Sequence, residues 1–283
     1  MNSIKKIITD NMTNFSKGQK RIAEYILESS DKCAYLKAAE VAEKTGVSEA
    51  TVVRFASALG FSGYPQFQKK LREESLSKLT AIQRMELVSE RIGSDDMLYK
   101  VLRADIGRIE STIDTVSEEM FMGAVKALVQ ARKVYVAGVR SAAGLASFAA
   151  FYFNVLFDSV KRVSNSMTED VVEQMLHASE NDVVLGISFP RYSNAIVKAL
   201  AFAKRRGAKV IALTDSENSP IVQYADYILT AKSDMDSFAD SLVAPMSIIN
   251  ALIFAVASMK KDEIKNTFAE LEDIWDEYNV YDN

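Results

Sequence analysis

The sequence predicts two units of different fold class, an all-α helix-turn-helix domain followed by an α/β domain with a doubly wound parallel sheet. Short helical patterns fill the amino-terminal part, and β-branched runs alternate with helical patterns further along the chain. The charge divides in the same way. Residues 1–80 hold thirteen Lys and Arg against nine Asp and Glu, although the whole chain has a net charge of −4. We therefore expect a basic unit and an acidic unit with different partners.

Composition excludes several classes of protein. The chain has 283 residues, of which 48% are hydrophobic and 25% are charged, as is usual for globular proteins. Its single cysteine, Cys33, and its single histidine, His177, provide neither a disulfide nor a zinc site. The apolar stretch Leu145–Leu156 is well short of the roughly 20 residues that span a membrane. Charges interrupt residues 1–11, which excludes a signal-peptide core. We expect a cytoplasmic protein without a metal or a cofactor.

The first 77 residues contain four helical patterns. Ser16 can cap the first of them, and Pro65 lies in the first turn of the last. The patterns predict helices over Gln19–Leu27, Ala38–Thr45, Glu49–Leu59 and Tyr64–Glu74. The second and third helices, with Gly46 between them, have the spacing of a helix-turn-helix.

The turn of this motif is predicted from its glycine and from the apolar spacing around it. Gly46 accepts a left-handed backbone without steric cost. Val41, Val52 and Phe55 are spaced so that the two helices bury one face against each other. Ser48 is expected to cap the third helix by accepting a hydrogen bond from a backbone amide.

The outward start of the third helix predicts a DNA-reading surface. Base edges are expected to meet Ser48, Glu49, Thr51 and Arg54, and phosphates are expected to meet Lys44 and Lys69, with Lys17, Lys20 and Lys70 also available. Arg54 can pair with guanine through two hydrogen bonds, a contact worth roughly 1–3 kcal/mol of discrimination, and Glu49 can accept from cytosine. The alternative is a helical hairpin that binds nothing and carries its basic residues on a solvated face.

Residues 78–132 stay helical, but charges are interleaved with their apolar side chains. Helical patterns over Arg84–Arg91 and Met97–Val116 are separated by Gly93–Asp96, which has the composition of a hinge. Two interpretations stay open for this stretch, a plain connector and a helix that forms a dimer.

Strand and helix patterns alternate over residues 133–256, which indicates a parallel sheet covered on both faces. The predicted strands are 134–137, 160–163, 183–187, 210–213 and 227–229, and the predicted helices are Leu145–Phe157, Asp170–Ala178, Asn194–Arg206 and Ser219–Ala225. The first of these helices is apolar nearly all round, so we expect it to be buried on every side, in part against another subunit. Sheets of this kind bind ligands at the carboxyl ends of their strands.

Two loops at these strand ends each pair a serine with an arginine. The first runs from Gly138 to Gly144 and the second from Ser188 to Ser193, and each leads into a helix whose amino terminus favours an anion. The arginine fork matches two phosphate oxygens at once. The residues expected to bind an anionic ligand are Gly138, Arg140, Ser141, Ser188, Arg191 and Ser193. Alternatively, the serines are simple helix caps. The third loop, residues 214–220, has two interpretations, one side of the ligand pocket and, more simply, a turn and a cap before a helix.

The chain resembles the RpiR-type bacterial transcriptional regulators in FSKGQKRIAEYILES and in LKAAEVAEKTGVSEATVVRFASALGFSGYPQFQKKL. It resembles the sugar isomerase (SIS) domain of these regulators, a flavodoxin-like fold, in RKVYVAGVRSAAGLA, DVVLGISFPRYS and AKRRGAKVIALTDSENSPIVQYAD. The resemblance spans nearly the whole chain. It implies a DNA-binding domain over residues 1–77, a helical linker over 78–122, a SIS domain over 123–263 and a carboxyl-terminal helical tail over 264–283.

The first ligand loop departs from the pattern of that family, which is commonly G-x-G-x-S. Gly138 matches the first glycine, but Arg140 stands in place of the second. Ala142 takes the serine position, and Ser141 lies beside it as a substitute.

The second loop departs from the family pattern S-x-S-G-x-T/S. Ser188 and Ser193 match hydroxyl positions, whereas Pro190 and Arg191 replace the second serine and the glycine. We therefore expect an anion that is held partly by Arg140 and Arg191, and not by the usual set of hydroxyls.

The resemblance implies a dimeric or tetrameric regulator whose SIS domain senses a phosphorylated sugar or a related anionic carbohydrate metabolite and changes operator affinity. A symmetric dimer predicts a palindromic double-stranded DNA operator. The alternative is an aldose–ketose phosphate isomerase with an accessory amino-terminal domain, which would need a base that moves a proton between sugar carbons. The first two loops contain no carboxylate, and His177 precedes a strand at the opposite edge of the sheet. We therefore expect no catalytic residue.

Overall fold

The described residues of the computed structural model are 4–78, 96–164, 168–233 and 239–280. The chain divides into two units, residues 1–91 and residues 92–283. The helix predicted over Arg84–Arg91 and most of the predicted hinge, residues 93–95, lie outside the described residues.

Helices alone form the described part of the first unit. They are α1 (Ile4–Asp10), α2 (Lys17–Glu28), α3 (Ser30–Cys33), α4 (Ala38–Thr45), α5 (Glu49–Ala58) and α6 (Tyr64–Lys78). The four predicted helices are confirmed, with small differences at their ends. The sequence did not predict α1, of which Ile4 and Ile8 are buried, or the short α3.

One aromatic cluster holds these helices together. The ring of Phe55 on α5 lies 5.1 Å from that of Phe15 and 5.8 Å from that of Phe67, measured between ring centroids. Ile22 on α2 and Val41 on α4 are fully buried in the same core. Burial of side chains of this size contributes about 1.5–3 kcal/mol each. Helix α5 therefore packs on a core that is formed entirely by residues of the first unit.

The turn between α4 and α5 has the predicted backbone, but the predicted cap is wrong. Gly46 ends α4 with φ +62°, and the amide of Val47 donates to the carbonyl of Ala42 at 3.0 Å. Ser48 precedes α5, but its hydroxyl makes no capping hydrogen bond and instead pairs with the Thr51 hydroxyl at 2.9 Å. A hydroxyl three residues along competes with the backbone amides for the serine side chain.

The second unit is built around a five-stranded, all-parallel sheet of order β2-β1-β3-β4-β5. The strands are β1 (Lys133–Gly138), β2 (Val160–Val163), β3 (Asp182–Ile187), β4 (Lys209–Thr214) and β5 (Tyr227–Thr230). The helices are α7 (Met97–Ile113), α8 (Glu118–Val129), α9 (Ala142–Leu156), α10 (Thr168–Glu173), α11 (Asn194–Arg205), α12 (Val243–Met259) and α13 (Lys261–Glu277). The predicted fold class and all five predicted strands are confirmed.

Alternate residues of a strand point to opposite faces of the sheet. Apolar side chains therefore lie on both faces, and helices cover both. Val134 and Val136 of β1 pack into a core with α8, α9 and α12, whereas Tyr135 of the same strand packs into a second core with α10 and α11. In β3, a Cβ added at Gly186 would lie 2.6 Å from Cδ1 of Leu200. Glycine at this position therefore allows α11 to lie close to the sheet.

The helix predicted over Asp170–Ala178 is too long. α10 ends at Glu173, and the residues that follow form a turn. Within the turn, the amide of Ala178 donates to the carbonyl of Met175 at 2.9 Å, three residues back, which tightens the chain before β3 begins. His177 consequently lies in an exposed turn and not in a helix.

The helix predicted over Ser219–Ala225 is a single 3-10 turn, Val222–Tyr224. The amide of Asp226 donates to the carbonyl of Val210 on β4 at 2.8 Å, and the Asp226 carboxylate accepts from the Val210 amide at 2.9 Å. Because these bonds draw the chain to the sheet just before β5, the segment is too short for an α-helix.

Replacement of Gly46 by alanine is expected to loosen the helix-turn-helix locally. The left-handed backbone at φ +62° costs a non-glycine residue about 1–2 kcal/mol. This cost should make local opening of the motif roughly 5–30-fold more populated, and amide hydrogen–deuterium exchange should become faster by the same factor. Mass spectrometry of peptides from α4 and α5, taken from the full chain after exchange, measures this change.

Gly63→Ala is the matched control for this variant. Gly63 has no positive φ, and the atom nearest to an added Cβ is Cδ of Pro65 at 3.7 Å, an ordinary contact. Equal exchange rates in the two variants would contradict the prediction.

Candidate functional site

The strand order places a crevice between β1 and β3. From β1 the chain passes to β2 on one side, and β3, β4 and β5 follow on the other side. Gly138 at the end of β1 is the register partner of Ile187 at the end of β3, so the two strands end level with each other. In open parallel sheets, ligands bind at such a point, where the direction of winding reverses. The two predicted ligand loops both begin here.

The first loop brings the helix after β1 close to the strand end. A Cβ at Gly138 would lie 2.7 Å from the carbonyl oxygen of Ala142 and 3.0 Å from Cβ of Ala146, so only glycine fits without movement. Arg140 and Ser141 are both exposed. Ser141 precedes α9 and makes no capping hydrogen bond, so its predicted alternative role as a helix cap is wrong.

The second loop is bonded to the sheet at its start, and its two ends are bonded to each other. The amide of Ser188 donates to the carbonyl of Leu213 on β4 at 3.1 Å. The side-chain oxygen of Ser188, which is buried, accepts from the amide of Ser193 at 3.4 Å. Ser193 itself makes no side-chain cap for α11. Arg191 lies between these ties and is exposed.

Both loop arginines have left-handed backbones. Arg140 has φ +57° and Arg191 has φ +63°, and they are two of the four non-glycine residues with positive φ in the described ranges. This conformation costs a side-chain-bearing residue about 1–2 kcal/mol. Both positions are glycine in the family pattern, so the backbone here keeps a glycine conformation while presenting a guanidinium group. Backbone strain of this kind clusters at functional sites.

The third loop reaches the second through Tyr192 and Asp215. The hydroxyl of Tyr192 donates to Oδ1 of Asp215 at 2.8 Å, and the hydroxyl of Thr214 donates to the same oxygen at 3.2 Å. Burial raises the pKa of the Asp215 carboxyl, while these hydrogen bonds and the charge of Lys232 act against the rise. Burial, reinforced by the Asp215 charge, also raises the pKa of Tyr192, which keeps the phenol protonated as a donor.

Sequence reasoning missed this Tyr192–Asp215 pair. It favoured a turn and a cap for residues 214–220 over one side of the pocket, and it named no pair within the loop. The available signal was an acidic residue directly after a buried strand, on the strand next to β3. The pairing with Tyr192 could not be predicted, because the direction of a loop side chain depends on the three-dimensional path of both loops.

The single histidine lies at the opposite edge of the sheet, as the sequence predicted. His177 lies in the turn before β3, which is at the amino ends of the strands. Across the ranges that the structure describes, no three His, Cys, Asp or Glu side chains come together in a group that could hold a metal ion.

The structure brings three of the predicted base-reading residues together at the start of α5. The hydroxyls of Ser48 and Thr51 lie 2.9 Å apart, and Nη2 of Arg54 donates to the Thr51 hydroxyl at 3.3 Å. Glu49 is exposed in the first turn of the same helix. Of the residues predicted at phosphates, Lys44 is exposed in the last turn of α4 and Lys69 is exposed on α6.

The amino-terminal half of α2 lies beside this surface. A Cβ added at Gly18 would be 3.3 Å from Cγ2 of Thr51, and one added at Gly46 would be 3.4 Å from Nη1 of Arg21. Arg21 is exposed and therefore places a positive charge next to the turn. Sequence reasoning named Lys17 on this helix but missed Arg21, because only the packing of α2 on the turn singles it out.

Within one chain, the helix after β1 is not buried on every side, and its predicted burial against another subunit stays a prediction. On α9, the side chains of Phe151 and Tyr152 are 66% and 40% exposed. Phe254 on α12, which packs against α9, is 77% exposed. The strongly apolar composition of α9 thus leaves part of its surface uncovered within one chain.

Among the described helices, none alone is both long and apolar enough to cross a membrane. The pair α12 and α13 passes that test only when taken together, with a bend of 102° between the two helices.

Two family models match the chain. Residues 1–78 match the helix-turn-helix domain of the rpiR family, and residues 127–255 match the SIS domain. An uncharacterized HTH-type transcriptional regulator of Haemophilus influenzae is 30% identical over 259 residues, which cover 89% of this chain and 88% of the relative.

Two solved structures are similar in fold. The sugar isomerase domain of an RpiR transcription factor from Sphaerobacter thermophilus is 26% identical, with a TM-score of 0.60, and the match covers 63% of this chain and 99% of that one. The Vibrio vulnificus NanR protein, complexed with ManNAc-6P, is 20% identical with a TM-score of 0.61 and covers 99% of both chains, a likeness that shows the fold. The chain belongs to the RpiR family of HTH-type transcriptional regulators, with an rpiR-type helix-turn-helix domain followed by a SIS domain.

Proposed function

We propose that this protein is a transcriptional regulator that binds a DNA operator through α4 and α5 and senses an anionic sugar derivative at the crevice between β1 and β3. The observation that carries the proposal is the presence of both parts in one chain. One unit exposes a reading helix, and the other presents Arg140 and Arg191 where its sheet reverses winding. Coupling between two such sites typically amounts to about 1–3 kcal/mol, a 5–150-fold change in affinity.

The DNA-binding half of the proposal rests on the surface around α5. Recognition helices read base edges with the residues of their amino-terminal part. Ser48, Thr51 and Arg54 form a connected hydrogen-bonded group there, which limits the freedom of Arg54 before it meets a base. Lys44, Lys69 and Arg21 supply positive charge for phosphates around this surface, and each phosphate contact adds to affinity and to its salt dependence.

The ligand half rests on the two arginines. The chain beyond residue 80 carries a surplus of acidic residues, so an anion needs a local source of positive charge. Guanidinium groups bind phosphate or carboxylate through two parallel hydrogen bonds. Since Arg140 and Arg191 leave from two neighbouring strands, one anion can lie within reach of both loops. The ManNAc-6P of the NanR structure suggests a sugar phosphate as the first class of ligand to test.

An isomerase is the second candidate. Asp215 is the one new observation in its favour, because its carboxylate lies at the loop edge of the sheet and its pKa is raised by burial. Its Oδ1, however, already accepts hydrogen bonds from Tyr192 and Thr214. A proton-transfer base must also lie within about 3 Å of the substrate, and Asp215 follows β4, one strand away from the point between β1 and β3, so the regulator is the better supported function.

We further propose that the protein is a dimer or a tetramer assembled through the SIS domain, as a palindromic operator requires. Phe151 and Tyr152 on α9 and Phe254 on α12 form exposed apolar surface on two helices that pack together. Exposed apolar patches of this kind mark interfaces between proteins.

Arg54→Ala is expected to weaken specific operator binding about 5–150-fold, the equivalent of roughly 1–3 kcal/mol of lost base discrimination. Electrophoretic mobility shifts with the promoter region upstream of the chain's own gene, compared with shuffled DNA, measure specific and non-specific affinity. Lys32→Ala is the matched control, because Lys32 is an exposed base of the same unit on α3. If both variants lose the same affinity on both DNAs, Arg54 does not read bases.

Arg191→Ala is expected to weaken anion binding about 10–150-fold, since a hydrogen bond to a charged group contributes roughly 1.5–3 kcal/mol. Calorimetric titration of the full chain with ManNAc-6P, glucose 6-phosphate and gluconate measures the affinity. Lys198→Ala removes an exposed charge from α11 in the same unit and should leave affinity unchanged. Unchanged affinity in Arg191→Ala would contradict the proposed role, and turnover of a sugar phosphate would favour the isomerase.

Phe254→Asp is expected to reduce the mass in solution from that of a dimer or tetramer to that of a single chain, because a buried charge at an apolar interface is strongly unfavourable. Light scattering coupled to size-exclusion chromatography measures this mass. Leu176→Asp is the control, since Leu176 is 57% exposed but lies in the turn after α10, on the other side of the sheet. A wild-type protein with the mass of one chain would exclude the proposed assembly.

A further inference from the structure

We propose that Tyr192 and Asp215 are positioning residues that hold Arg191 in its left-handed conformation and thereby aim its guanidinium group at the anion. This inference rests on the ligand half of the proposed function. Neither residue belongs to the serines and arginines that were predicted to bind the anion. Tyr192 lies in the second loop and Asp215 lies in the third, so the third loop becomes part of the site.

The first step of the argument is that Arg191 requires an external restraint. With φ +63°, it occupies a backbone region that disfavours any residue with a Cβ. Arg191 is also exposed, so core packing does not hold its side chain in place. A residue persists in such a conformation only when its surroundings over-determine it.

The second step is that the ties at the loop ends leave the middle of the loop unrestrained. Ser188 is tied to Leu213, and the amide of Ser193 is tied to the Ser188 side chain by a long bond of 3.4 Å. Neither bond acts on the residue that follows Arg191. Tyr192 supplies that restraint, because its hydroxyl reaches Oδ1 of Asp215 on the neighbouring loop at 2.8 Å.

The third step concerns the strength of this restraint. The acceptor is a carboxylate, and hydrogen bonds to charged groups stabilise about twice as much as neutral ones. The free energy of such a bond is of the same order as the cost of a left-handed residue. Loss of the Tyr192 hydroxyl would therefore allow Arg191 to relax to an ordinary backbone conformation.

The fourth step is that Asp215 can serve in this way without repelling the anion. It follows β4, one strand away from the crevice between β1 and β3. Tyr192 and Thr214 both donate to its Oδ1, and the positive charge of Lys232 acts on it as well. These partners offset its negative charge, so a carboxylate remains compatible with an anion site nearby.

The test is a double-mutant cycle between Tyr192 and Arg191, read by calorimetric titration of the full chain with ManNAc-6P, glucose 6-phosphate and gluconate. Tyr192→Phe removes only the hydroxyl. It should weaken binding about tenfold in the wild-type background and have no further effect in Arg191→Ala, because it acts through Arg191. Tyr224→Phe, in the 3-10 turn before β5, is the matched control and should bind as the wild type does.

Two results of this cycle would overturn the inference. One is unchanged affinity in Tyr192→Phe. The other is an equal loss in both backgrounds, which would mean that Tyr192 supports the site without acting through Arg191. Asp215→Ala should reproduce the effect of Tyr192→Phe, and the double variant of the two should bind no more weakly than either alone.

A second measurement separates this inference from the proposed function. If the wild-type chain binds none of the three probes, the proposed ligand class is wrong, and amide hydrogen exchange of residues 188–193 then decides the positioning role. Exchange about tenfold faster in Tyr192→Phe than in Tyr224→Phe would support a restraint on the loop. Equal exchange in the two variants would overturn it.

Discussion

The pairing of β1 with β3 is the constraint on which the second unit depends. Asp182, fully buried at the start of β3, accepts two hydrogen bonds from Arg132, at 3.0 Å from Nε and 2.8 Å from Nη2. The loss of Arg132 would leave the buried Asp182 carboxylate without its charged partner, so this pair favours the register at the amino ends of the strands. That register carries through to Gly138 and Ile187 at the other end. Two loops that are distant in sequence therefore open into one crevice.

The same constraint explains why two arginines can occupy glycine positions. The close approach of α9 to Gly138 and the ties of Ser188 to β4 determine the path of both loops, and each path includes a left-handed residue. Arginine at these positions adds strain in the loop and a positive charge in a unit with an acidic surplus. A glycine would relieve the strain and remove the positive charge. The proposed site would thus combine the backbone of a glycine-rich loop with anion recognition by side chains.

The sequence predicted the features that follow from a periodic pattern of apolar residues or from a backbone conformation that needs glycine. The five strands and the turn at Gly46 belong to this group, because β-branched periodicity and a left-handed turn are local signals. The sequence did not predict which of several possible hydrogen-bond partners a side chain takes. The hydroxyl of Ser48, for example, pairs with the hydroxyl of Thr51 and not with a backbone amide of α5. The exposure of Phe151 within one chain could not be predicted, because apolar composition does not distinguish a core from an interface. The Tyr192–Asp215 bond was missed because it joins loops that only the sheet order brings together.

The same edge of the sheet is also joined to α7, the first helix of the second unit that the structure describes. The amide of Lys232, just after β5, donates to the hydroxyl of Thr112 on α7 at 2.9 Å. About two turns earlier on the same helix, Asp105 accepts from the hydroxyl of Ser241 at 2.7 Å. Lys232, whose charge acts on Asp215, is thus bonded through its backbone to α7. Under the proposed function, these hydrogen bonds would join the proposed anion site to the first described helix of the second unit, since chains of hydrogen bonds are one means by which sites are coupled.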